Sequence, residues 1–273
     1  LESSQWIKEL IQSGKINKED LEGKREKYIL TTLQNPVKGI DEAVVIAGSD
    51  KRGAIYGIYE LSLQMGVSPW YYWADAPIQK HNTISFKSGS YTDGEPAAHY
   101  RGTFLNDEWP CLGNWAADTF GGFNSKFYEK VFELILRLKG NFMWPAMWNS
   151  AFYDDDPLNG PLADEMGIVM STSHHEPMAR AGVEWGKFKG TYYSSGEELG
   201  AKSGAWNYYQ NVENISNFWS DSIARNGNLS NNLYTVGMRG ENDSALTDAS
   251  GKPLTLAENA QMLKDILVKQ DTI

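Results

Sequence analysis

Only one cysteine, Cys111, occurs in the 273 residues. No internal disulfide can form, and a thiolate-based metal site is excluded. Long apolar runs are also missing: none approaches the roughly 18 residues of a membrane-crossing helix. Basic charge is in the minority, with 25 Lys and Arg against 35 Asp and Glu, a formal charge of −10. That balance provides no positive face for nucleic acid or an anionic membrane, so neither is an expected partner. The opening LESSQWIKEL lacks the basic-then-apolar pattern of a signal peptide and reads as a helix from within a domain. The loop AGSDKRG (47–53) is neither a Walker loop nor a GxGxxG fingerprint, so no nucleotide site is expected there, and no organic cofactor is expected for the chain.

Aromatic residues are abundant, with 10 Trp and 14 Tyr. Most serve packing. The remainder suit a cleft with flat, amphipathic faces, as sugar-binding sites have. Asn-X-Ser triplets at Asn214, Asn228 and Asn242 hint weakly at glycosylation.

Along the chain, Glu42 to Ile46 predicts a buried strand, and Gly53 to Met65 a helix stopped by Gly66, which together make an α/β unit. Thr83 to Phe86 reads as an edge strand, and a linker follows with a domain boundary near residue 97. A repeat then begins. Strands are expected at Tyr100–Leu105, from Asn141, at Gly167–Thr172 and at Leu233–Met238. Helices are expected at Ser125–Lys139, Pro161–Met166, roughly Ala205–Arg225 and Leu256–Gln270. In the first, Phe127, Tyr128, Val131, Phe132, Leu134, Ile135 and Leu138 form one apolar face, with Gly140 as its cap. Four strand–helix repeats of about 40 residues are the pattern of half a (β/α)8 barrel. The expected fold class is therefore α/β: residues 1–97 are the C-terminal part of an N-terminal α/β domain, and 98–273 are the first four units of the barrel. A half-barrel exposes its inner layer and sheet edges, so residues not given would complete it. An open doubly wound sheet is the alternative.

The polar clusters follow the strands: Asn106-Asp107-Glu108, then Trp144 to Trp148, then His174-His175-Glu176, then Arg239 to Asp243. Carboxyl ends of barrel strands are where active sites are assembled. Hydrolysis of a glycoside needs one protonated and one ionised carboxyl group, and Asp107, Glu108, Glu176, Glu241 and Asp243 are the candidates. On extended backbone Asp107 and Glu108 point opposite ways, whereas Glu241 and Asp243 share a side. The His pair lacks the helical HExxH spacing, so contacts with sugar hydroxyls or a carboxylate are preferred to a metal. Arg239, flanked by Gly237 and Gly240, can grip an anionic sugar bidentately or balance the neighbouring carboxylates.

The runs YRGTFLNDEWP (100–110), NWAADTFGGFNSKFYEKVFELILRLKGNFMWPAMW (114–148), LADEMGIVMSTSHHEPMARA (162–181) and YTVGMRGENDSA (234–245) resemble glycoside hydrolase family 115, the xylan α-1,2-glucuronidases. GAIYGIYELSLQMGVSPWYYWADAP (53–77) is similar to the end of that family's N-terminal domain. The resemblance implies inverting removal of glucuronic acid, or its 4-O-methyl form, from glucuronoxylan or its oligosaccharides. It further implies secretion (periplasmic if bacterial) and admits a homodimer through domains outside this chain. Asp107, His175, Arg239, Asp243 and Trp148 or Trp144 match site positions, and Glu60 is a candidate contact across a domain interface. The roles expected are Asp243, then Asp107, as the base-side carboxylate with Glu241 beside them. Arg239, His174, His175, Glu176, Trp144, Trp148, Asn106 and Glu108 would bind sugar, and the general acid would come from later strands. A non-catalytic carbohydrate-binding protein and a metal-dependent hydrolase are the competing readings.

Overall fold

The computed structural model describes residues 4–185 and 204–273, and they form a mixed α/β structure with two small sheets. The chain divides into two compact units. Leu1–Gly102 with Lys130–Asn141 make the first, and Thr103–Glu129 with Phe142–Ile273 the second.

In the first unit, α1 (Gln5–Gln12) is capped by the Ser4 side chain, and β1 (Tyr28–Gln34) pairs antiparallel with β2 (Glu42–Gly48), from Tyr28↔Gly48 to Gln34↔Glu42. A two-residue strand, β3 (Ser90–Tyr91), lines the other edge of β1. No strand forms at Thr83–Phe86; the edge pairing expected there is made instead by β3. Helix α2 (Lys51–Gln64) is capped by Asp50 and packs on both long strands. Gly57 permits the close approach, since a Cβ there would meet Ile46 Cγ2 at 2.5 Å and Tyr28 Cβ at 3.3 Å.

Charge, as well as apolar packing, holds this unit. The buried Glu26 carboxylate accepts from Arg52 Nε at 2.5 Å, Arg101 Nη2 at 2.6 Å and Asn141 Nδ2 at 2.7 Å. Burial pushes the Glu26 carboxyl upward, but the Asn141 and Arg101 hydrogen bonds and the charges of Arg101 and Arg52 outweigh it and hold it below the usual range. Glu60 accepts from Lys139 at 2.7 Å and from Gln64 at 3.0 Å, and Lys139 also pairs with Asp93.

In the second unit the sheet runs in chain order: β4 (Gly102–Leu105), β5 (Phe142–Pro145), β6 (Val169–Met170). β5 and β6 are parallel, with Phe142↔Val169 and Met143↔Met170. Helices α3 (Cys111–Phe120) and α4 (Ser125–Arg137) separate the first two strands; α5 (Phe152–Asp155) and α6 (Asn159–Met166) separate the next. The expected fourth strand does not form as a ladder. Met170 bridges Asn232 in parallel, and Leu233–Met238 continues with isolated bonds, among them Leu233 N to Met170 O. Among the described residues, no sheet closes on itself.

Helix α4 buries Phe127, Tyr128, Val131, Phe132, Ile135 and Leu136, while Leu138 is half exposed, so the stripe turns one position from the expected face. Its end also differs. Lys139 takes the left-handed conformation (φ 59°), and Gly140 is needed because a Cβ would meet Ile135 Cγ2 at 2.8 Å and Arg101 O at 2.9 Å. The aromatic-rich segment is α7 (Tyr208–Asn226), and α8 (Leu256–Asp271) begins with a Thr255–Glu258 capping box. Trp185, Tyr208, Ile215, Phe218, Trp219, Met238, Met262 and Ile266 make one core beneath them.

Replacing Glu26 with Ala leaves two guanidinium groups facing a vacated acceptor, and truncating one partner of a buried ion pair costs about 3–5 kcal/mol. Glu26→Ala is expected to lose that much in urea denaturation. Glu22→Ala, which removes only the exposed pair with Lys18, should change stability by less than about 1 kcal/mol.

Candidate active site

The walls of one cavity in the second unit come from four places: the turn after β5, the segment after β6, helix α7 with Trp206 just before it, and the loop before α8. Its volume is about 370 Å³, within the range of small-ligand pockets, and Trp148, His175, Glu176, Arg180, Glu241 and Asp243 line it.

The segment after β6 reaches the cavity through strained backbone. Met178 (φ 56°) and Ala179 (φ 57°) both occupy the left-handed region, which costs about 1–2 kcal/mol per non-glycine residue. Hydrogen bonds hold the turn: Thr172 Oγ1 to Glu176 O at 2.6 Å, Met178 N to Thr235 O at 2.9 Å, and Arg225 Nη2 to Ala179 O at 3.0 Å. Arg180 locks the far end. Its Nε donates to Phe218 O at 2.8 Å, Nη1 to Glu184 at 2.7 Å and Nη2 to Asp221 at 2.6 Å.

The loop before α8 is a single 3₁₀ turn, Glu241–Asp243, rather than extended chain. Side-chain alternation therefore does not govern Glu241 and Asp243, although both reach the cavity. Gly240 permits the turn. A Cβ there would collide with Ser244 Oγ and Ala245 O, while its own N–H donates to Ser244 O at 2.9 Å. Asp243 Oδ1 lies 3.1 Å from His174 Nε2 and 3.4 Å from Arg239 Nε. The His174 contact, and then the Arg239 charge, hold its carboxyl below the ordinary range, so it is ionised at neutral pH. Arg239 turns to this carboxylate and to Asp243 O (3.1 Å), and Trp206 Nε1 donates to its carbonyl at 2.9 Å.

His175 stacks edge-on against Trp148, with ring centroids 5.6 Å apart. Burial, with His174 and Arg239 nearby, pushes its imidazole below the usual range despite Asp243, leaving it neutral. Its Nε2 approaches Glu176 Oε1 at 3.2 Å without hydrogen-bond alignment.

Asp107 does not line this cavity. It is fully buried, accepting from Met147 N at 2.7 Å through Oδ1, and from Ser150 Oγ at 2.6 Å and Tyr128 OH at 3.1 Å through Oδ2. It thereby shapes the turn that presents Trp148. Burial pushes its carboxyl up to about 6, against the bonds from Ser150, Met147 and Tyr128. Asn106 and Glu108 bond each other at 2.7 Å. Trp144 lies on the sheet between Phe104 and Phe142. Glu60 belongs to the first unit, in the Lys139 network.

The family model described as glycosyl hydrolase family 115 matches residues 93–273, which include every residue of this cavity. The chain belongs to glycoside hydrolase family 115. A solved family member, the GH115 4-O-methyl-alpha-glucuronidase BtGH115A, with specificity for decorated arabinogalactans, is 32% identical and superposes with a TM-score of 0.80. The match covers 96% of this chain and 32% of that one, so the chain spans about a third of its relative's length. No curated protein sequence matches.

Within this family 115 chain, ligand atoms of His174, His175 and Asp243 lie within 4.8 Å of one another, a grouping able to hold a metal ion. Arg239 already supplies Asp243 with a cation at 3.4 Å, and a second one would meet its repulsion. Sequence reasoning missed Arg180, Glu184, Tyr128 and Ser150. Arg180 and Glu184 are spaced i,i+4, a signal that is ordinarily read as a surface pair.

For Asp107 the sign of the pH dependence follows from a folded-state value above the unfolded one. The unfolded chain ionises first as pH rises, so stability falls from about pH 4 to about pH 6 and is flat above, by roughly 3 kcal/mol for a two-unit rise. Asp107→Asn should remove that limb. Denaturation midpoints compared at about pH 4 and pH 7 test it, and an unchanged limb in the variant refutes the assignment.

Proposed function

We propose that this chain contributes one part of the active site of an inverting α-1,2-glucuronidase, which removes glucuronic acid, or its 4-O-methyl form, from glucuronoxylan. One observation carries the reading: an ionised carboxylate, Asp243, is held between an imidazole and a guanidinium on the wall of a cavity of monosaccharide size. Family membership supports it.

Inversion needs a carboxylate to orient water on one face of the sugar and a carboxylic acid about 6.5–9.5 Å away to protonate the leaving oxygen. Asp243 is suited to the first task. His174 and Arg239 keep it charged, and its position on the cavity wall supports the reading that it orients the attacking water. Trp148 and His175, edge-to-face on the cavity wall, are of the residue types that suit contact with a sugar ring. Asp107 supports these residues from behind the turn. The general acid is assigned to residues of the whole enzyme beyond this chain, and the sheet order β4-β5-β6 with its parallel bridge to Asn232 fits the first part of a (β/α)8 barrel. Because a polysaccharide cannot cross a membrane unaided, such an enzyme works outside the cell or in the periplasm.

The specificity of BtGH115A favours a second substrate, a glucuronate-decorated arabinogalactan. Full-length enzyme should release glucuronic acid from one or both polymers, and Asp243→Ala should cut that release at least about 100-fold with the fold retained by circular dichroism. Near wild-type turnover by the variant would remove Asp243 from the mechanism. Absence of release from either polymer by the wild type would end the glucuronidase reading.

A further inference from the structure

Glu176 is the buried acid of the cavity for which the mechanism above has no task. Its side chain is 2% exposed and lines the cavity, yet Oε2 has no hydrogen-bond partner. A carboxylate in that position would be an orphaned buried charge, one of the costliest states a side chain can take. A neutral carboxylic acid carries one O–H donor instead.

The surrounding groups favour the neutral form. Burial comes first in raising the Glu176 carboxyl well above its ordinary range, then the Glu184 charge, then Asp107, with only the Gly182 amide opposing. His175, 3.2 Å away, is itself neutral and brings no cation. Arg180 lines the same cavity, but all three of its guanidinium nitrogens are committed to Phe218 O, Glu184 and Asp221. Glu241 and Asp243 complete the acidic wall. An ionised Glu176 would give the cavity a third carboxylate facing an incoming anion.

We propose that Glu176 is a specificity-determining residue: its protonated carboxyl lets an anionic sugar enter the acidic cavity and donates a hydrogen bond from Oε2 to the sugar's carboxylate. This rests on the glucuronidase reading and adds to it how a −10 chain tolerates a uronate. An O–H···O⁻ bond is of the strong, charge-assisted kind. The bound uronate in turn stabilises the proton on Glu176, so binding and protonation reinforce each other. As pH rises through the Glu176 transition, the donor is lost and a repelling charge appears, and affinity falls.

The test measures Kd for glucuronate and for its uncharged methyl ester on full-length enzyme over a pH range that rises from neutrality into alkali, the direction in which burial moves the Glu176 carboxyl. Wild-type Kd for glucuronate should rise at least about tenfold across that range, a loss of about 1.4 kcal/mol, and Kd for the ester much less. Glu176→Gln keeps an N–H donor but cannot ionise. It should bind glucuronate about threefold more weakly at neutral pH and lose most of the slope. Glu176→Ala should lose about tenfold. Superposable wild-type and Glu176→Gln profiles overturn the proposal. A second measurement needs no variant. At about pH 7.5, where Asp107 is ionised, the infrared C=O band of a protonated carboxyl in the wild type should shift when glucuronate binds, and no such shift overturns the proposal. Release of glucuronic acid by the wild type, with superposable profiles, defeats this proposal alone; no release from either polysaccharide defeats the glucuronidase reading and this proposal with it.

Discussion

A carboxylate removed from water must be given donors, and in the second unit the Asp107 carboxylate decides what its surroundings look like. Sitting just after β4, it gathers the Met147 amide, the Ser150 hydroxyl and the Tyr128 phenol. Those three groups belong to the turn after β5 and to α4. A chain leaving a strand end has many routes open to it, and three hydrogen bonds to one buried acceptor select the route that carries Trp148 to the cavity and against His175. Each bond is worth more here than at the surface, because leaving any of them unmade would strand a polar group in a dry interior. The aromatic contacts Tyr128–Phe152 and Phe152–Tyr153, at 4.7 and 4.8 Å, continue the same anchoring toward α5.

Charge inside the cavity divides into groups that are fixed as ions and groups that are kept neutral. Asp243 is an ion because His174 and Arg239 stand beside it. Arg180 is an ion whose charge is answered twice, by Glu184 and Asp221. His175 and Glu176, pressed together between these pairs, lose their charges for lack of solvent. Two carboxyl groups on the wall of one cavity are thus driven in opposite directions by their surroundings alone.

Helices and strand ends were readable wherever one local signal dominated. The apolar stripe of α4 and the Gly66 stop of α2 are examples. The four polar clusters could be located because each follows an apolar run, and family 115 motifs tied them together. What escaped depends on partners distant in sequence. Leu233–Met238 alternates like a strand, but a ladder needs a neighbour, and Met170 and Met178 offer single bonds only. β1 has the β-branched residues Ile29, Thr31 and Thr32, a signal overshadowed by the more apolar β2. No local pattern announces that Asp107 faces inward to hold a turn while Glu176 faces a cavity with an oxygen to spare; both are acids following a strand. The 3₁₀ turn at Glu241–Asp243 was hidden because Gly240 allows a bend that alternation rules do not anticipate.

The consecutive left-handed residues Met178 and Ala179 have a geometric consequence. They bend the short 3₁₀ turn Pro177–Ala179 without the glycine that usually makes positive φ easy. Glu176 and Arg180, on either side of that turn, line one cavity. The acid and the base are positioned by backbone torsion rather than by attraction, since each of the arginine's nitrogens is already engaged elsewhere. The cavity wall thus carries both a neutral acid and a cation compensated by Glu184 and Asp221.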